Sequence, residues 1–123
     1  MATIATVSGN ANVLTSVTRT ALTGADDILI NSGTSQLLVL ENTGATTPTI
    51  NIDGNLAAAV NCRGLGAPID VSGGFNIALA AAGTAGAVKI IPLAAISSYT
   101  NDSANRPAVT GGVAAVLAYI IEG

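Results

Sequence analysis

The chain predicts an all-β fold: a small antiparallel β-sandwich, immunoglobulin-like or jelly-roll-like, with an extended N-terminal arm. Three observations carry that expectation. Short runs rich in Ile, Val and Leu recur at intervals marked by Gly, Asn, Asp, Ser and Pro. Segments such as TINID at residues 49–53 alternate apolar and polar positions, as a half-buried strand requires. Sustained helical spacing of apolar residues is absent. Residues 79–87 and 114–121 are alanine-rich and so have some intrinsic helix preference, but their flanking glycines and β-branched neighbours favour strand.

With 123 residues there is room for one domain, read as an arm (residues 1–12) and a sandwich (residues 13–123). A globule of this size buries about 65% of the surface of its unfolded chain. Half of the residues are hydrophobic but only three are aromatic, so the core must come from Ala, Val, Ile and Leu. Small side chains bury little area each, at about 25 cal/mol per Å². The isolated chain is therefore expected to be marginally stable and to gain stability from partners that bind only its folded form.

Along the chain, residues 1–12 alternate weakly through Ile4 and Val7 and carry Gly9-Asn10 as a turn signal, which suits an arm and an ordinary first strand equally. Residues 13–22 (VLTSVTRTAL) alternate as a half-buried strand does. Residues 23–27 (TGADD) read as a turn, and residues 28–30 as a short strand closed by Asn31-Ser32-Gly33. QLLVLE at 36–41 is the clearest buried strand. Residues 42–48 (NTGATTP) read as a hairpin-type connection to the strand at 49–53, which Gly54-Asn55 ends. Residues 57–61 continue the sheet, and residues 63–74, with four glycines and a proline, form a loop holding one short strand. Two further strands, 75–79 and 87–91, flank a glycine-rich turn. Pro92 belongs at a strand end or edge because it donates no ladder hydrogen bond. Residues 96–107 are polar and loop-like. Residues 113–121 (VAAVLAYII) form a long apolar strand followed by a free Glu122-Gly123 tail. Enlarging Ala114, Ala115 or Ala118 in that strand should overpack it, at about 1–3 kcal/mol.

The formal charge is −3, from seven acids and four bases. Arg19, Arg63, Lys89 and Arg106 are dispersed, so nothing matches a run of phosphates and no nucleic-acid partner is expected. The apolar window 77–96 contains Gly83, Gly86, Lys89 and Pro92, which argues against a bilayer span. Residues 1–13 have neither the basic nor the apolar part of a secretion signal. A soluble chain with no membrane partner is expected. Cys62, the single cysteine, allows no internal disulfide and should pack as a buried thiol.

The lack of histidine removes the imidazole base, the Ser-His-Asp triad and His-ligated metal. Asp26 and Asp27 are adjacent, so alternation would aim them apart, and capping a turn suits them better than paired acid–base chemistry. NIDGN at 51–55 has its glycine too early for a calcium loop and no closing glutamate. Gly9, Gly64, Gly66, Gly73 and Gly74 fit no phosphate-binding pattern. No catalytic, cofactor-binding or metal-ligating residue is assigned and no cofactor is expected. What these residues build is a surface, not a reaction centre.

The second half of the chain carries a likeness. Phe75-Asn76-Ile77-Ala78-Leu79, Ala82-Gly83-Thr84, Ile90-Ile91-Pro92, Tyr99-Thr100-Asn101 and the apolar strand at 116–121 succeed one another in an order that resembles small sandwich-type structural proteins of tailed-bacteriophage heads. LVLENTG at 38–44 is similar to a strand-and-turn pattern of the same group, so the likeness runs from Gln36 to the C-terminus. It implies a capsid decoration, or cement, protein: a non-enzymatic virion component made in the bacterial host cytoplasm and seated on the outer capsid surface. Its partners would be the major capsid protein and copies of itself, a trimer above all. Thr3, Ile4, Ala5, Thr6 and Val7 of the arm would then add a strand to an exposed sheet edge of the shell, with main-chain bonds giving the affinity. Deleting residues 1–12 would weaken lattice binding and leave the sandwich folded. Two rival readings stand beside this one. The first is a tail, neck or fibre subunit. The second is a small carbohydrate-binding module, which would need exposed aromatic side chains from a set limited to Phe75, Tyr99 and Tyr119.

Overall fold

The computed structural model describes residues 2–8, 17–31, 34–61, 64 and 66–123. Its spine is the antiparallel pair β4 (Gln36–Asn42) and β11 (Val116–Glu122), in register over all seven residues of each. These are the two longest apolar runs, and pairing them directly buries the most small aliphatic surface in a single ladder. β9 (Val88–Pro92) adds antiparallel to the far side of β4. The free side of β11 carries two short segments end to end: β2 (Thr20–Ala21), antiparallel beside Leu117 and Ala118, and β1 (Thr6–Ser8), parallel beside Ile120 to Glu122. Together they make a five-stranded sheet.

The second sheet has the order β3 (Ala25–Asp27), β10 (Ala108–Thr110), β5 (Thr49–Asp53), β8 (Phe75–Ala78), all antiparallel. β6 (Ala59–Asn61) and β7 (Pro68–Asp70) form a separate two-stranded ribbon. The expected antiparallel sandwich is thus the observed one. Inward-facing Leu38, Leu40, Val116, Ala118 and Ile120 of the first sheet, and Ile50, Ile52 and Val109 of the second, are all at 0% exposure in one core cluster.

Several connections differ from expectation, for one shared reason. β4 and β5 are not a hairpin, because residues 43–48 carry the chain from the first sheet to the second. The segment from β8 to β9 crosses back in the same way. A turn signal marks where a strand stops; it does not say whether the next strand pairs alongside or lies about 10 Å away in the facing sheet. Asn42 holds the two crossings together. Buried at 2% exposure, its Nδ2 donates to the Thr46 carbonyl at 2.7 Å and the Ala80 carbonyl at 2.9 Å, while its Oδ1 accepts from Gly44 N at 3.0 Å.

Residues 25–27, read from sequence as a turn, are strand β3, and residues 28–30 follow it without being a strand. β10 is a strand within a stretch given no element from sequence. Residues 93–100 are helical: a 3-10 turn, Leu93–Ile96, continues into one α-turn, Ser97–Thr100. Leu93, Ile96 and Thr100 lie on one side of that turn, are buried, and cap the core where Pro92 has ended the ladder. The Glu122-Gly123 tail is tied down. Glu122 closes β11 and accepts from Asn31 Nδ2 at 2.7 Å, and Gly123 and Ser35 exchange backbone hydrogen bonds at 2.9 and 3.1 Å.

The overpacking expectation narrows to one alanine. Ala118 is fully buried opposite Leu40, whereas Ala114 is exposed and precedes the strand. Ala118→Leu should cost about 1–3 kcal/mol in urea unfolding, and Ala114→Leu should stay within about 0.5 kcal/mol of the parent.

Candidate functional site

The two sheets present opposite kinds of outer face. On the second sheet, Asn51 and Asp53 alternate with the inward Ile50 and Ile52, and Thr49, Asn76 and Thr110 face outward and are exposed. That is the usual division of a half-solvated antiparallel sheet. The first sheet does not follow it. The outward positions of β4 are Leu37, Val39 and Glu41, those of β11 are Leu117, Tyr119 and Ile121, and those of β9 are Val88, Ile90 and Pro92. These residues line up in rows across the sheet: Leu117, Glu41, Val88; then Tyr119, Val39, Ile90; then Ile121, Leu37, Pro92. Val7 of β1 extends the last row beside Ile121. Val88 is 54% exposed, Ile90 61% and Leu37 37%, while Leu117, Tyr119 and Ile121 are half-buried and Val39, at the centre, is buried at 4%. Glu41 is the one charge in the rows, and Arg19 bridges it at 3.0 Å. A contiguous apolar face of this sort marks an interaction surface.

No family model, curated protein or solved structure matches the chain.

The rows were only half legible in the sequence. QLLVLE and VLAYII lack alternation, and continuous apolar runs suggest strands buried on both faces. One face of each is core; the other is this open surface.

The arm residues lie elsewhere than a free arm would put them. Ile4 is 1% exposed and belongs to the core cluster. Thr3 bridges in parallel to Asp27 of β3 in the second sheet, and Thr6 and Val7 pair with Ile120 and Ile121 of the first. Ala5 accepts from Ile120 N at 2.9 Å and donates to Thr20 Oγ1 at 3.2 Å. Residues 2–8 are therefore part of the sandwich, passing from a bridge at Thr3 on one sheet to β1 on the other and closing that side. The reason is burial: a branched aliphatic side chain at position 4 gains more inside than in water. Residues 9–12, residues 13–16 of the expected strand at 13–22, and Cys62 with its expected buried thiol lie outside the described residues.

Asp26 secures this entry. Its Oδ2 accepts from Thr23 N at 2.8 Å, and its Oδ1 accepts from Thr23 Oγ1 at 2.8 Å and Ala2 N at 3.1 Å. Burial pushes its carboxyl up, but the hydrogen bonds from the Thr23 backbone and hydroxyl, and from the Ala2 and Gly24 backbones, outweigh burial and leave it below its ordinary 3.8. The folded form thus holds this proton more weakly than the unfolded chain does. The resulting stability is complete above about pH 3.8 and is lost as the pH falls through the folded value. Asp26→Ala strands its donors and should cost about 1–3 kcal/mol at pH 7. In urea titrations, the gap between variant and parent should narrow at pH 3.

Asp27 points the other way, as neighbours in a strand do, and stands across Ala108 from Asp53. Arg106 Nη1 lies 3.7 Å from its Oδ2. Beside them, NIDGN ends in a turn docked on residues 99–103: Gly54 N donates to the Tyr99 carbonyl at 2.9 Å, and Asn55 N to Asp102 Oδ1 at 2.9 Å. Among the described residues, no three His, Cys, Asp or Glu side chains gather as metal ligands, and no helix is long and apolar enough to cross a membrane.

Proposed function

We propose that this chain is a structural subunit of a larger particle, a decoration or cement protein on the outer lattice of a viral capsid, and that it assembles through the apolar face of its first sheet. The observation that supports this reading is the apolar outer face built by β9, β4 and β11, on a sandwich whose opposite face is polar. A non-enzymatic role agrees with a sequence that lacks histidine and has its one adjacent acid pair split between the two sides of a strand. The head-protein likeness of residues 36–123 supplies the viral part of the proposal. A sugar platform has less support, because Phe75 and Tyr99 pack against each other with ring centroids 5.4 Å apart and only Tyr119 faces outward on the apolar sheet. The test is incubation of the purified protein with expanded shells that lack it, followed by sedimentation. Saturable binding with a raised shell melting temperature is the expected result, and failure to bind any shell would overturn the proposal.

A further inference from the structure

We infer that the partner of the apolar face is a second copy of this chain, so that two molecules pack sheet on sheet through β9, β4 and β11; this rests on the assembly reading above and names the partner of that surface. Charge points to it first. The chain carries −3, and Asp27, Asp53 and Asp102 stand on or beside the outer face of the second sheet, offset only in part by Arg106, 3.7 Å from Asp27. Among the described residues, the face on the first sheet has a single acid, already bridged by Arg19, and is neutral. Two like-charged copies meet without repulsion on that side and not on the other.

Area and shape point the same way. Columns spaced about 4.8 Å and a rise of about 3.4 Å per residue make the face on the order of 19 Å by 24 Å, or about 450 Å² per copy and 900 Å² per pair. That lies at the low end of specific interfaces, among the weak and reversible ones. Two such sheets stack about 10 Å apart with their side chains interdigitated. One apolar face on each copy takes one partner by a two-fold axis, with Tyr119 and Ile90 in the middle row on both sides. A ring of three would require two different patches on each chain, and the described residues present one apolar face.

Sedimentation velocity between about 1 μM and 1 mM tests this, on the full chain and on Ile90→Glu, Ile90→Ser and Thr110→Glu. Ile90 lies on an edge strand and is largely exposed, so the fold should survive its loss, and the serine variant serves if the glutamate variant melts early. The parent should pass from monomer to dimer. Ile90→Glu, which places two charges in a two-fold contact, should weaken the dimer at least about 100-fold, with Ile90→Ser between them. Thr110→Glu, on the opposite sheet, should behave as the parent does. A parent that stays monomeric throughout, or an Ile90→Glu protein that dimerises normally, overturns the inference. Shell binding separates it from the proposal beneath. A monomeric parent that binds shells, with binding lost in Ile90→Glu, gives the face to the shell protein and overturns self-pairing alone.

Discussion

Removing residues 1–8 should destabilise the domain by about 3–5 kcal/mol. Ile4 is a core residue at 1% exposure, and emptying its site resembles a buried Ile-to-Ala change, about 2–5 kcal/mol by itself. The truncation also takes the Ala2 N–H from the buried Asp26 carboxylate, the Ala2 carbonyl from Asp27 N, and the β1 ladder from Ile120 to Glu122. A small domain has only about 5–15 kcal/mol in total, so the truncated protein should melt more than about 10 °C lower. Ile4→Ala separates the core contribution from the rest and should account for about half of the loss or more. Unchanged melting of both variants would make the segment a dispensable arm after all.

The second large effect concerns one glycine. Gly111 follows β10 with φ at +81°, and a Cβ there would press on the Thr49 carbonyl oxygen of the neighbouring β5. Gly111→Ala therefore incurs two costs: about 1–2 kcal/mol for a left-handed alanine and about 1–3 kcal/mol for displacing backbone that a side-chain rotation cannot relieve. About 2–5 kcal/mol should be lost in chemical unfolding. Gly83→Ala is the control. Its φ is nearly the same, +80°, but its Cβ would meet nothing within 4 Å, so only the conformational part remains. Equal losses at the two positions would show that backbone crowding beside β5 is not what makes Gly111 necessary.

The strands that sequence reading found and those it missed differ in where their stability originates. β4, β5, β8, β9 and β11 each carry their own signal, either strict alternation or several consecutive aliphatic residues. β10 has three residues and one buried apolar side chain, Val109, and is a strand because β3 and β5 supply hydrogen bonds on both sides. β3 contains Asp26 and Asp27, which locally favour a turn. Burial of Asp26 becomes acceptable through Thr23, three residues away, together with a donor 24 residues away, at Ala2. Long-range partners of this kind leave no mark within a short window. The apolar sheet face was concealed differently: the residues were visible as hydrophobic, but a run apolar on both sides looks the same whether the outer side meets protein or water.

Side-chain NMR with a soluble paramagnetic probe, repeated along a dilution series, examines that surface most directly. If two copies pair through β9, β4 and β11, the methyl signals of Leu37, Val88 and Ile90 should lose their probe-induced broadening as concentration rises, while those of Thr49, Ala108 and Thr110 on the opposite sheet stay broadened. Equal broadening on the two faces at every concentration, or protection confined to the polar sheet, would contradict it.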